Sequence, residues 1–189
     1  MTCSAMISRS ADAAPGGLLS GLITVGVLSD THGELHRQVA QALAGVDHII
    51  HAGDVGAAQV LVELRRLAPV TAVRGNCDLD AWAEALPLRA ELEVGGVRIL
   101  VGHVAAGLRD RLETAAGDGG DGFAVVISGH THLAAVERRD GTLHLNPGSA
   151  GPRRFGRPRT IARLTIRPPV ADEPRGAPHV DVAIVTVGS

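Results

Sequence analysis

From Leu22 onward, short apolar runs alternate with stretches whose apolar positions recur every three or four residues. LITVGVL (22–28) reads as a buried strand ending in the polar loop Ser29-Asp30-Thr31-His32, and Leu35, Val39 and Leu43 then share one helical face. HIIHAGD (48–54) is a second strand running into a loop, followed by a helix over about 57–67. VTAV (70–73) is a third strand, and it too ends in a polar loop, Arg74-Gly75-Asn76-Cys77-Asp78. Strand and helix in alternation predict parallel pairing at the start of a sheet.

The pattern then changes. Residues 91–101 (ELEV-GG-VRILV) read as a hairpin turning at Gly95-Gly96. A helix over about 107–116 and a Gly/Asp loop precede the strand AVVIS (124–128) and the loop Gly129-His130-Thr131-His132. Ala134–Glu137 and Leu143–Leu145 flank Asp140-Gly141, a second hairpin signal. Strands near 160–166 and 180–187, separated by a Pro-rich connector at 168–178, complete an α/β layered domain with a mixed sheet. Residues 1–20 are small, polar and aperiodic and read as a flexible extension; residues 21–189 read as one domain.

Composition narrows the chemistry. Hydrophobic residues make up 45% and charged residues 20%, a globular balance, and the net charge of −2 gives no basis for nucleic-acid or membrane-surface binding. All 18 basic residues are arginine, which excludes the P-loop, the protein-kinase lysine and Schiff-base catalysis. Cys3 and Cys77 form no paired motif, and no apolar leader or membrane-spanning run is visible, so a reducing cytoplasm is the expected location. Gly117–Gly122 matches G-x-G-x-x-G but follows a helix and precedes a strand, the reverse of the dinucleotide fingerprint. No G-x-S-x-G elbow is present.

The polar residues gather at strand ends: Asp30-x-His32, Gly53-Asp54, Gly75-Asn76, His103 and Gly129-His130-x-His132. Ligands of α/β sheets collect where strand-end loops converge, so these seven side chains imply a metal site. Imidazoles, carboxylates and an amide oxygen without thiolate suit Mn, Fe, Ni, Zn or Co rather than calcium. Seven donors exceed one tetrahedral ion and suit two ions sharing a bridging carboxylate, the clamp used for displacement at phosphorus.

The blocks SDTHG (29–33), HAGD (51–54), GNCD (75–78), GHTH (129–132) and NPGS (146–149) resemble those of the calcineurin-like metallophosphoesterase superfamily. Within it, the chain is similar to the small single-domain, YfcE-like phosphodiesterase branch, from about residue 22 to 166. The resemblance implies a four-layer αββα sandwich of two mixed β-sheets flanked by helices. It assigns one divalent ion to Asp30, His32, Asp54 and His132, and a second to Asp54, Asn76, His103 and His130, with Asp54 bridging. At His103 relatives usually carry Thr-His-Gly, whereas this chain has Gly102-His103-Val104.

Resemblance and physics lead to one expected reaction: hydrolysis of small phosphodiesters by a hydroxide bridging two metals, Mn²⁺ first among them. Asp54, Asn76 and His103 carry the chemistry, and Asn76 offsets charge on the phosphoryl oxygens. Cys77 stands where many superfamily phosphatases have the leaving-group histidine. A thiol, with an ordinary pKa of ~8.5, serves poorly as general acid there, so diesters with good leaving groups are expected over alkyl monoesters. Asp78 reads as a carboxylate orienting a ligand imidazole or as a solvated turn residue. Arg153, Arg154, Arg157 and Arg159 form a basic run, with Arg153 and Arg154 as candidate phosphate contacts. A homodimer or homotetramer is compatible with base rates. The rival reading is a scaffold, like the retromer subunit that resembles this fold; a scaffold would have lost ligands, and here every ligand position is filled.

Overall fold

Three strand–helix units form first, as the hydrophobic pattern predicts. In the computed structural model, which describes residues 4–7, 21–117, 122–153, 156–167 and 178–188, β2 (Ile23–Leu28), β3 (His48–His51) and β4 (Val70–Ala72) pair in parallel. The label β1 belongs to Ser4–Ile7, inside the stretch set apart by sequence as an extension; its backbone pairs in parallel with β5 (Arg89–Val94). The helices α1 (Arg37–Ala42) and α2 (Ala58–Arg65) cross between the parallel strands.

Both hairpins close as two-residue turns with positive φ at each central position: Gly95-Gly96 (57° and 79°) and Asp140-Gly141 (49° and 81°). That geometry matches the twist of antiparallel partners. The first joins β5 to β6 (Val97–Gly102), and the second joins β8 (Ala134–Arg139) to β9 (Thr142–Pro147). Between them lie a 3-10 turn (Ala105–Leu108), α3 (Arg109–Gly117) and β7 (Val125–Ile127). The chain closes with β10 (Arg159–Arg167) and β11 (His179–Val187), paired antiparallel.

Two mixed sheets result, ordered β1-β5-β6-β7-β9-β8 and β11-β10-β2-β3-β4. They face each other across Val25, Val27, Ile50, Leu92, Ile99, Val101, Ile127, Leu145 and Leu164, all buried. The outer face of the five-stranded sheet packs on α1 and α2 through Leu28, Ile49, Val39, Leu43, Val60 and Leu64. The outer face of the six-stranded sheet packs on α3 and its 3-10 turn through Leu100, Val126, Leu108 and Phe123. This is the four-layer αββα sandwich. Arg111 fixes α3 further, donating from Nε and Nη2 to Glu91 on β5 (2.6 and 3.0 Å). All six residues of the edge strand β8 are exposed, and Glu137, Arg138 and Arg139 discourage pairing with another sheet there.

The parallel strands β2, β3 and β4 and the strands β6 and β7 release their carboxyl ends toward one region. Gly129 N donates to His103 O (3.0 Å) and Asp30 N to Gly53 O (3.0 Å), tying loops from separate parts of the chain together. Asn146 continues the net, donating from Nδ2 to Gly129 O (2.7 Å), while Ser149 Oγ donates to Asp30 O (3.2 Å).

Candidate metal centre

Asp30, His32, Asp54, His130 and His132 all have φ between 50° and 71°, and they are five of the six non-glycine residues with positive φ among the described residues. The left-handed region is costly for a side chain with Cβ and persists only where surroundings enforce it. Strain of this kind gathered at five candidate ligands marks the loops as shaped for the site. Gly75 supplies the complementary freedom: a Cβ there would run into the backbone and carboxylate of Asp54. A Cβ on Gly53 (φ +90°) would meet the His103 ring at 2.7 Å.

The seven residues singled out by sequence come together. Asp30, His32 and His132 bring donor atoms within 4.8 Å of one another, and so do Asp30, Asp54 and His103. His132 Nε2 lies 3.1 Å from Asp30 Oδ1 and 3.4 Å from His32 Nε2. Asn76 Oδ1 lies 3.1 Å from His103 Nε2 and 2.9 Å from His130 Nδ1, while His103 Nε2 stands 3.4 Å from Asp54 Oδ1. The setting of His103, altered from the familiar Thr-His-Gly, is a buried position just past β6, with Gly102 packed close to Leu108.

Proton accounting identifies what the site lacks. His103 Nδ1 is 2.8 Å from Ala52 O, which only accepts, so Nδ1 carries the proton. With the ring neutral, as a metal ligand requires, the Nε2 lone pair faces Asp54 Oδ1 and Asn76 Oδ1; with the ring charged, Nε2 donates toward them. Asp30 Oδ1 is sealed from solvent, and His132 Nε2 stands 3.1 Å from it. Buried carboxylates and imidazoles converging this closely are a setting that a divalent cation stabilises. The residues fit divalent metal ions.

The electrostatics agree. Burial pushes the Asp30 carboxyl up, against the Ser29 hydroxyl and the His132 charge. Burial opposes ionisation of Asp54 as well, but the His103 ring and the Cys77 amide (N to Oδ1, 2.8 Å) outweigh it and hold that carboxyl well below the usual range. His103 moves up: burial disfavours its charged form, but the hydrogen bond to Asp54 and the Ala52 carbonyl prevail.

Three residues behave differently from the sequence reading or add to it. Asp78 neither orients an imidazole nor sits in solvent. It is buried, and its carboxylate accepts the main-chain amides of Val55 (3.1 Å), Gly56 (2.7 Å) and Gly75 (2.8 Å), joining the Asp54 loop to the Asn76 loop. Only one of its three partners, Gly75 N, is local; the other two are backbone groups 22 and 23 residues away, which no short pattern announces. Cys77 is exposed, and its sulfur shares a 4.8 Å cluster with His32 and Asp54. Arg153 lines a cleft of about 220 Å³ with His130 and His132, and Arg154 lies outside the described residues. A second cleft, of about 660 Å³, opens past Asn76 and His103 between Arg74, Leu88 and Val104.

His51 is a packing residue with a measurable signature. Thr31 Oγ1 donates to Val55 O (2.9 Å), so it accepts from His51 Nε2 (2.9 Å), leaving Nδ1 bare and buried. Burial accordingly lowers the pKa of His51 from 6.5 to about 4. Between those values the unfolded chain binds a proton that the folded chain refuses, so stability falls as pH drops through this window, by roughly 3 kcal/mol in all. In metal-free protein, urea midpoints measured from pH 7 to 4.5 should decline less steeply for His51→Gln than for the parent. Parallel declines would contradict this assignment.

The model of the calcineurin-like phosphoesterase superfamily domain matches residues 23–168. The probable metallophosphoesterase MJ0623 of Methanocaldococcus jannaschii is 39% identical over 139 residues, covering 70% of each chain. Phosphodiesterase MJ0936 of the same organism is 29% identical over 143 residues, covering 66% of this chain and 82% of its own. In three dimensions, Vacuolar Protein Sorting 29 of Cryptosporidium parvum superposes with a TM-score of 0.65 at 18% identity, over 88% of this chain and all of its own, a likeness of fold alone. With the domain match extending from β2 to the end of β10, the chain belongs to the calcineurin-like phosphoesterase superfamily.

Proposed function

We propose that this chain is a metal-dependent phosphodiesterase acting on small diesters, with Asp30, His32, Asp54 and His132 holding one divalent cation and Asp54, Asn76, His103 and His130 a second. The observation that carries this reading is the convergence of ligand atoms at the strand ends, where those of Asp30, His32 and His132, and those of Asp30, Asp54 and His103, lie within 4.8 Å of one another. Mn²⁺ is the proposed ion, with Ni, Fe, Zn and Co sharing its ligand preferences. Such ions supply an acidified water and neutralise charge at phosphorus.

The protein's own part is positional. Ala52 O holds the Nδ1 proton of His103 and so keeps Nε2 free to bind. The Cys77 amide holds Asp54 ionised and oriented. Asn76, exposed at the rim, is the proposed contact of a phosphoryl oxygen, and Arg153 and Arg154 are the proposed further contacts of a phosphate group on the substrate. The larger cleft, with Leu88 and Val104 in its wall, offers room for the organic part of a diester. The relative named phosphodiesterase supports this substrate class. We propose a cytoplasmic protein with no membrane or nucleic-acid partner, and a homodimer or homotetramer as its assembly; no helix among the described residues is long and apolar enough to cross a membrane.

The test is turnover of bis(4-nitrophenyl) phosphate and 4-nitrophenyl phosphate by chelator-stripped protein reloaded with Mn²⁺. Metal-dependent turnover of the diester, exceeding that of the monoester, is the expected result. Protein that binds no metal would shift the reading to a scaffold of the same fold. In the same assay, Cys77→His should raise monoester kcat/KM by roughly tenfold or more, by restoring a proton donor of suitable pKa. An unchanged rate would mean that Cys77 does not stand at the leaving-group position.

A further inference from the structure

The smaller cleft concentrates positive charge beside the metal centre. Its walls include His130, His132, Ser149, Arg153, Arg157 and Arg159, and among the described residues no carboxylate lines it. Arg153 is anchored at its base, donating from Nη2 to Gly188 O (2.7 Å), which leaves its other N–H groups uncommitted by that bond. Arg159, at the start of β10, has a sealed Nε with no partner. Arg157 is exposed, and among the described residues no carboxylate pairs with it or with Arg159. Three arginines elsewhere in the chain pair with carboxylates: Arg89 with Asp110, Arg111 with Glu91 and Arg139 with Glu137.

Three guanidiniums around one concavity repel one another, and an anion between them relieves that repulsion. Guanidinium forks match phosphate oxygens in geometry as well as charge. At about 220 Å³ the cleft is below the size that takes a whole drug-sized ligand, so it suits a single group of a larger molecule. It shares His130 and His132 with the metal centre, so whatever fills it is continuous with a phosphoester held there.

We propose that this cleft is a second anion subsite, in which Arg153, Arg157 and Arg159 bind a phosphate group carried by the substrate in addition to the scissile one. The inference rests on the phosphodiesterase reading and narrows it: the preferred substrates are diesters bearing a further phosphate monoester. Simple neutral-armed diesters are then poor mimics of the natural substrate class.

The test compares two chromogenic diesters that differ only in that group, thymidine 5′-(4-nitrophenyl phosphate) and the same compound carrying a 3′-phosphate, with Mn²⁺-loaded protein. The phosphorylated compound should have a KM lower by about tenfold or more, and Arg157→Gln and Arg159→Gln should each shrink that ratio toward one. Equal KM values in the parent, or a ratio unchanged in both variants, would overturn the subsite. Pyrophosphate titrated calorimetrically into metal-free protein gives a readout independent of turnover. Its affinity should weaken about tenfold in Arg157→Gln, a loop variant that leaves the β10 strand intact. If neither diester is hydrolysed while pyrophosphate binding depends on the arginines, the phosphodiesterase reading fails and the subsite stands; if the parent binds no pyrophosphate, or binds it as the variants do, the subsite fails.

Discussion

Asp54→Asn should lower metal-dependent diester hydrolysis by on the order of a thousandfold or more while leaving the fold intact. Asp54 sits where the two ligand groups meet: its carboxylate shares one cluster with Asp30 and His103 and another with His32 and Cys77. An amide keeps the shape and can still accept the Cys77 N–H through its oxygen, so the melting temperature of metal-free protein should change little. What disappears is the negative charge that the surroundings hold ionised against the cost of burial. Metal stoichiometry by atomic absorption should fall with activity. Retention of full turnover would remove Asp54 from the bridging role and overturn the proposed ligand set.

Asp78→Ala should produce the largest loss of stability outside the hydrophobic core. Three buried or half-buried amides, those of Val55, Gly56 and Gly75, lose their acceptor at once. Unsatisfied amides cost ~1–3 kcal/mol each, and because water reaches some of them on relaxation the sum should be about 3–5 kcal/mol. For a chain of this size that is a fall in melting temperature of roughly 10 °C. The Asp54 and Asn76 loops are also released from each other, so Mn²⁺ affinity should drop about 10–100-fold. Asp78→Asn retains one acceptor oxygen and should lie between the two. Calorimetric melting with and without Mn²⁺ measures both effects; a change of less than about 2 °C in the alanine variant would show that the loops do not depend on this clamp.

Much of this molecule is readable in the chain because its signals are local. The β2, β3 and β4 runs are apolar enough to be buried on both faces, and each ends in a polar loop, so strand, direction and ligand-bearing end follow from a few consecutive residues. Both hairpins are announced by dipeptides that tolerate positive φ. The seven candidate ligands are legible for the same reason: each stands at the end of an apolar run, where a buried structural role is uncommon.

Other features depend on partners distant in sequence. The pairing of β10 against β2 and the insertion of β7 between β6 and β9 join segments far apart along the chain, and no short pattern encodes such neighbours. The backbone pairing of Ser4–Ile7 with β5 is of the same kind, a short polar-flanked segment recruited by an open sheet edge. The role of Asp78 is not legible in sequence, because an aspartate accepting three amides has the same local sequence as one that orients an imidazole or lies in a solvated turn; two of the amides come from a loop 22 and 23 residues away. The arginine run likewise becomes a cleft only when the segment after β9 folds back beside His130 and His132. Sequence alone determined the elements and the inventory of donor atoms, since propensity and side-chain chemistry are properties of neighbouring residues. Tertiary structure decided which lone pairs face one another, which charges are left unpaired and which backbone groups are sealed from water, because those depend on distances that chain separation does not set.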